Sequence, residues 1–323
     1  MTGSGWTLAV AALTLTAACG RNDRAAAPPA ANAAGGAAAD STTGARLPTR
    51  VTGLQNPESA KYDKELDVWY ISNVNGDPTA KDGNGYISRL HGDGTMDSLK
   101  FITSGVNGVK LDGPKGIALQ EDTLWVADIH TVRGFNRRTG IPVANIQLKG
   151  SKFLNDVAVG PDGIYITDTG IEAGAGGIKH TGPDRIYRIG PDRSAGVALE
   201  NDSLAGPNGI TWHGARRQFI VVPFAGTVIR AWTPGSKVTV PLGVTKGQLD
   251  GVEVLDSARL LITSWADSTL DIFENGTATP IARDLPSPAD LGLDTKRNRV
   301  AIPLLMENRV EFRPLPAAGK TLP

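Results

Sequence analysis

Pro207-Asn208-Gly209-Ile210-Thr211-Trp212, followed a few residues on by Phe219-Ile220-Val221-Val222, is one instance of the repeat that decides the fold. A polar or small residue leads into an apolar-x-apolar triplet, and after a short turn comes a strongly apolar run. The same pattern begins at Pro57-Glu58-Ser59-Ala60-Lys61-Tyr62, Pro114-Lys115-Gly116-Ile117, Leu154-Asn155-Asp156-Val157, Leu249-Asp250-Gly251-Val252 and Pro288-Ala289-Asp290-Leu291. The runs that follow, such as Leu124-Trp125-Val126-Ala127 and Ile164-Tyr165-Ile166-Thr167, are β-branched and aromatic and end in Gly, Asp or Asn turns, so they read as strands. No segment sustains a 3.6-residue period, and helices are therefore minor. Six units of roughly forty residues, each with strands for one sheet, predict an all-β, six-bladed β-propeller. Two three-bladed halves would interrupt the period, which runs on unbroken. The last unit runs out after Val310-Glu311-Phe312, one strand short. The segment Thr49-Arg50-Val51-Thr52-Gly53-Leu54 has no partner where it stands, so it is expected to supply that outer strand and close the ring.

Composition agrees with such a domain and removes several functions. The 323 residues carry 33 Lys+Arg and 33 Asp+Glu, so no basic excess points to a nucleic-acid partner. With 40% hydrophobic residues and 20% charged, the chain can bury a core. Its 39 Gly and 21 Pro fit many tight turns. One Cys and four His leave neither an internal disulfide nor a Cys/His zinc site. No apolar run is long enough to span a bilayer.

The single cysteine lies at the end of a short apolar stretch, in Leu15-Thr16-Ala17-Ala18-Cys19. Residues 1–19 read as an export signal. The segment resembles a bacterial lipoprotein box in which Cys19 is lipidated, although Thr16 stands where Leu is usual and no Lys or Arg precedes the stretch. An ordinary signal peptide cut nearby is the alternative. Residues 20–46 are rich in Ala, Gly and Pro with few large apolar side chains, and read as a flexible tether. The propeller is then 47–323. This order predicts a lipoprotein of the bacterial cell envelope, on the periplasmic or outer-membrane face, that meets the membrane only through its anchor.

Spacing shows which face of the ring is decorated. The matching positions Glu58, Lys115, Asn155, Asn208 and Asp250 are 57, 40, 53 and 42 residues apart. The excess falls in residues 74–84 and 169–184, both after the second strand of a blade, so both insertions emerge at one end of the channel. First strands line that channel, and the same repeat position in each blade faces the axis. It holds Glu58, Lys115, Asn155, Asn208, Asp250 and Ala289. Glu58, Asn155, Asn208 and Asp250 offer two carboxylates and two amide oxygens from four blades. Such an all-oxygen set suits a divalent cation, Ca²⁺ above others. Turn preference for Asn and Asp would explain Asn208 and Asp250 but not Glu58.

With these motifs in place, residues 50–315 resemble the senescence-marker-protein, gluconolactonase and luciferin-regenerating-enzyme family, with paraoxonases as more distant relatives. The resemblance implies that Glu58 in Asn56-Pro57-Glu58, Asn155 in Leu154-Asn155-Asp156, Asn208 in Pro207-Asn208-Gly209 and Asp250 in Leu249-Asp250-Gly251 bind a catalytic divalent metal. It also implies that Asp250 is the general base. Two positions depart from the family pattern. Phe153 stands where gluconolactonases place a sugar-binding Arg, which points to a less polar substrate. Lys115 stands in the ring where paraoxonase-like enzymes carry His. An ammonium near a divalent cation has its pKa lowered and could serve as a base or oxyanion donor. Alternatively, Lys115 pairs with Glu58 or Asp250 and displaces the metal. Asp128, His130, Phe153 and Asp168 are expected to line the substrate mouth, with a plain surface histidine the other reading of His130.

The activity expected is metal-dependent hydrolysis of a small-molecule lactone or ester by a monomeric protein. A non-catalytic envelope propeller that binds a ligand or protein is the alternative, since propellers host unrelated functions. No Gly-x-Ser-x-Gly elbow is present, and the only Cys lies in the signal region, so a covalent Ser or Cys triad has no support.

Overall fold

Each repeat unit folds into one four-stranded antiparallel sheet, and six such sheets form the ring. The computed structural model describes residues 47–174 and 177–315. The export signal, Cys19 and the tether fall in residues 1–46 and lie outside the described residues. The inner strands are Pro57–Asp63, Pro114–Gln120, Leu154–Gly160, Pro207–His213, Leu249–Val254 and Gly292–Asp294. Helix among the described residues is limited to two short 3₁₀ turns, Asp202–Leu204 and Leu305–Glu307. None is long and apolar enough to cross a membrane.

Apolar side chains alternate outward from the strands and fill the spaces between blades. Six buried clusters result, one at each junction. The junction of blades 3 and 4, for example, stacks Tyr165 and Phe219 with ring centroids 4.4 Å apart, and Trp232 closes the group.

Blade 6 draws strands from both ends of the chain. Arg50–Thr52 pairs antiparallel with Arg309–Pro314, Val51 opposite Val310. Val51 and Leu54 are buried against Trp69 and Phe312 at the junction of blades 6 and 1. Removing two such aliphatic side chains from water contributes about 3–5 kcal/mol. A chain beginning at Asn56 is therefore expected to be less stable by about that amount than one beginning at Leu47, as chemical denaturation would measure. Equal stability would refute the clamp.

The site is positioned by a bulge that recurs in the inner strands. Pairing between first and second strands slips at Pro57/Ala60, Pro114/Ile117, Leu154/Val157, Pro207/Ile210 and Leu249/Val252. Each slip fits one extra residue into the strand. The ring residues Glu58, Lys115, Asn155, Asn208 and Asp250 all sit within these bulges. Gly209 shows why glycine follows a ring residue: a Cβ there would stand 2.3 Å from the carbonyl oxygen of Asp250 on the next inner strand. Hydroxyls on the second strands accept the bulge N–H groups, Ser72 from Ser59, Thr167 from Asp156 and Thr263 from Gly251. The insertion at 169–184 contains a hairpin of its own in which Ile171–Gly174 pairs with Gly177–His180.

Candidate active site

Five polar ring residues line the channel and all are buried: Glu58, Lys115, Asn155, Asn208 and Asp250. Three of their oxygens, Glu58 Oε2, Asn155 Oδ1 and Asp250 Oδ1, are buried with no hydrogen-bond partner. An acceptor left so costs about 1–3 kcal/mol, more when charged, unless something is built to meet it. The Asn155 amide is oriented by its other end, since Nδ2 donates to Thr169 Oγ1 at 3.0 Å and Thr169 in turn donates to the Pro207 carbonyl at 2.9 Å. That leaves Oδ1 as the free atom.

The electrostatics follow from burial. Desolvation raises the Glu58 carboxyl well above its ordinary range, and the neighbouring Asp250 adds to the effect. Asp250 is pushed up to about 8 by burial and by Asp290, partly offset by the adjacent Trp265 and Asn208 side chains. Lys115 moves the opposite way, down to about 8, because burial disfavours its ammonium more than Glu58 and Asp128 favour it. Both carboxyls thus resist ionisation until a cation compensates them. The donor set fits a hard divalent ion: oxygens only, three of them unpartnered, with two potential negative charges, while the Asn208 side chain is engaged with Asp250. Among the described residues no group of three or more His, Cys, Asp or Glu side chains converges for metal binding, so this ring depends on its amide oxygens.

Lys115 does not pair with the ring carboxylates. Among the described residues it makes no ion pair within 4 Å. Its Nζ donates to the Gly113 carbonyl at 3.0 Å and lies 4.0 Å from the centroid of the Phe153 ring.

Comparison with known proteins places this architecture. No family model and no curated protein sequence matches the chain. Solved structures do match. A gluconolactonase from Xanthomonas campestris is 16% identical, with a TM-score of 0.59 over 83% of this chain and 89% of that one. A luciferin-regenerating enzyme is 12% identical, with a TM-score of 0.59 over 84% of this chain and 95% of its own. The fold is the six-bladed propeller. The likeness is one of fold, and it agrees with the resemblance carried by the ring motifs.

In this six-bladed propeller both insertions reach the channel mouth. A cleft of about 340 Å³ lies between them, with Thr79 from the first, Ile171 from the second, and Ile129, His130, Lys152 and Phe153 among its walls. His130 lines the cleft half-buried with Nδ1 unpartnered, and burial and the Lys81 ammonium lower its pKa. Asp128 and Asp168 take a different place from the one read in the sequence. Both side chains are closed off from the mouth, and their carboxylates hold backbone. Asp128 accepts from the N–H groups of Asp112 and Gly113 and pairs with Arg133. Asp168 accepts from the N–H groups of Lys152 and Phe153. They shape the two loops that enter the ring.

One layer of the channel was missed in the sequence. Lys61 pairs with Glu253, Ser59 donates to Asp290, and Asp156 accepts from the N–H groups of Val157 and Ile210. Burial works against the Lys61 ammonium, but Glu253, Asp290 and Asp156 outweigh it and hold its pKa above the usual lysine value. The signal was available: three residues beyond each ring position stand Lys61, Ala118, Ala158, Thr211 and Glu253, two charges among small side chains on an inward-facing register.

Proposed function

We propose that this protein is an exported, envelope-anchored hydrolase of a lactone or ester, with Glu58, Asn155, Asn208 and Asp250 holding a divalent cation, Ca²⁺ in the first instance. The observation that carries the proposal is the set of three buried, unpartnered oxygens on Glu58, Asn155 and Asp250. A cation bound there supplies polarisation of the substrate carbonyl and compensation of the oxyanion charge. Asp250, which burial and Asp290 keep hard to ionise on its own, would be ionised once a bound cation offsets that cost, and then accepts a proton from the attacking water and returns it to the leaving alkoxide. Lys115 stabilises negative charge on the carbonyl oxygen. The cleft above Phe153 has room for an apolar substituent, since Ile129, Phe153 and Ile171 are among its walls. Cys19 carries the anchor in this proposal, and the protein works as a monomer.

The test is a panel of alkyl- and aryl-substituted lactones and esters assayed with Ca²⁺ and with chelator. Turnover of apolar lactones above aldonolactones, lost on chelation, is the expected result. One observation favours a second reading: the ring already contains an ammonium, Lys115, so the channel could serve a non-catalytic binding propeller without metal. Chelator-indifferent binding of a ligand with no turnover would select that reading.

A further inference from the structure

The two sequence departures from the family pattern, Lys115 and Phe153, touch each other. They lie on different blades, yet the Lys115 ammonium rests 4.0 Å over the Phe153 ring. Its other contact is the Gly113 carbonyl at 3.0 Å. Both contacts are braced from behind. Asp128 accepts the Gly113 N–H at 2.7 Å, fixing the loop whose carbonyl holds the ammonium. Asp168 accepts the Phe153 N–H at 2.8 Å, fixing the aromatic side of the contact. Lys115 is only 2% exposed, so this position is not one of several that a surface lysine samples. Within the same ring, Glu58 and Asp250 keep carboxylate oxygens that the ammonium does not reach for, although Glu58 attracts it.

We infer that Phe153 is a positioning residue for Lys115: its ring face and the Gly113 carbonyl park the ammonium away from Glu58 and Asp250, so that one channel can hold both a lysine and a divalent cation. The inference rests on the cation reading of the ring given above. A buried ammonium must find negative charge or π density. With Phe153 shortened, Glu58 is the alternative: it attracts the ammonium and keeps an unpartnered oxygen, whereas Asp128 is engaged by Gly113 and Arg133, and an ammonium on Glu58 competes directly with a metal. Phe153 thereby sets cation affinity without contacting the cation.

The experiment combines Ca²⁺ titration calorimetry on full-length parent, Phe153→Leu, Phe153→Tyr, Lys115→Met and the Lys115→Met/Phe153→Leu double variant with NMR of ¹³C-lysine-labelled protein. Phe153→Leu is expected to bind Ca²⁺ about tenfold more weakly, as loss of a desolvated cation–π contact implies, and Phe153→Tyr to bind like the parent. In the Lys115→Met background the same Leu substitution should change affinity by less than about twofold, because the group it positions is gone. In the parent, one lysine ε-methylene resonance should lie upfield from ring current and disappear in both Lys115→Met and Phe153→Leu. That readout needs no metal and survives any instability of a single variant. A parent that binds Ca²⁺ while Phe153→Leu binds equally well, or a parent with no shifted lysine resonance, overturns the positioning role alone. A parent that binds no Ca²⁺ overturns the cation reading, and the inference with it.

Discussion

Asp250→Asn is expected to lower turnover by about three orders of magnitude, the scale of a lost general base, while the protein stays folded. The substitution removes the proton acceptor and one of the two negative charges of the ring together. The fold should persist because the ring lies in the channel, apart from the six inter-blade clusters. The stability profile gives an independent signature. The Asp250 carboxyl is raised to about 8 in the metal-free fold, against about 4 in the unfolded chain. A group raised on folding contributes stability below its unfolded pKa and loses it as pH rises through the folded value. Metal-free parent should therefore lose stability relative to Asp250→Asn between about pH 4 and pH 8. Added Ca²⁺ should restore the parent at high pH and stabilise the variant less. Melting curves at pH 6 and pH 9, with and without Ca²⁺, would check this. A variant that keeps parental turnover would remove Asp250 from the chemistry.

Lys61→Met is expected to produce the largest loss of stability of any channel substitution, about 3 kcal/mol, the lower end of the range for buried pairs because Lys61 and Glu253 remain about one-fifth exposed. The ammonium serves three acidic groups, Glu253 by contact and Asp290 and Asp156 through the field. Removing it leaves them facing one another in a narrow channel. Asp290 already sits at about 6 with Lys61 present, raised chiefly by burial, and would rise further without it. Protonation relieves that repulsion, so the deficit of Lys61→Met should shrink as pH falls toward 5 and widen toward 9. Pairing it with Glu253→Gln should recover part of the loss. Denaturant titrations across that pH range would measure both effects, and a pH-independent deficit would show that packing, not charge, was lost.

The ring was legible in the sequence because a propeller imposes one register on every blade. Glu58, Lys115, Asn155, Asn208 and Asp250 could be aligned without coordinates, and all five occupy the same bulge. What the sequence withheld was the direction of individual polar atoms. Asp128 and Asp168 end second strands at the decorated face, and position alone makes them look available. Only the hydrogen bonds show their carboxylates spent on the loops at Gly113 and Phe153. The Lys115–Phe153 contact was hidden for another reason: it joins neighbouring blades through residues at different repeat positions, which an in-register alignment never sets side by side. Lys61 and Glu253 escaped because the alignment was read at a single position, although their charges recur on an inward register one turn of the pleat further along.

The most direct test of the central claim is calorimetric titration of metal-stripped parent with Ca²⁺ at pH 8, beside Glu58→Gln and Asp250→Asn. The account predicts one cation per parent chain, and weaker binding in both Glu58→Gln and Asp250→Asn that excess Ca²⁺ overcomes, because each amide still offers one oxygen but no charge. A parent that binds no divalent cation, or that binds it equally well with both carboxylates neutralised, would contradict it.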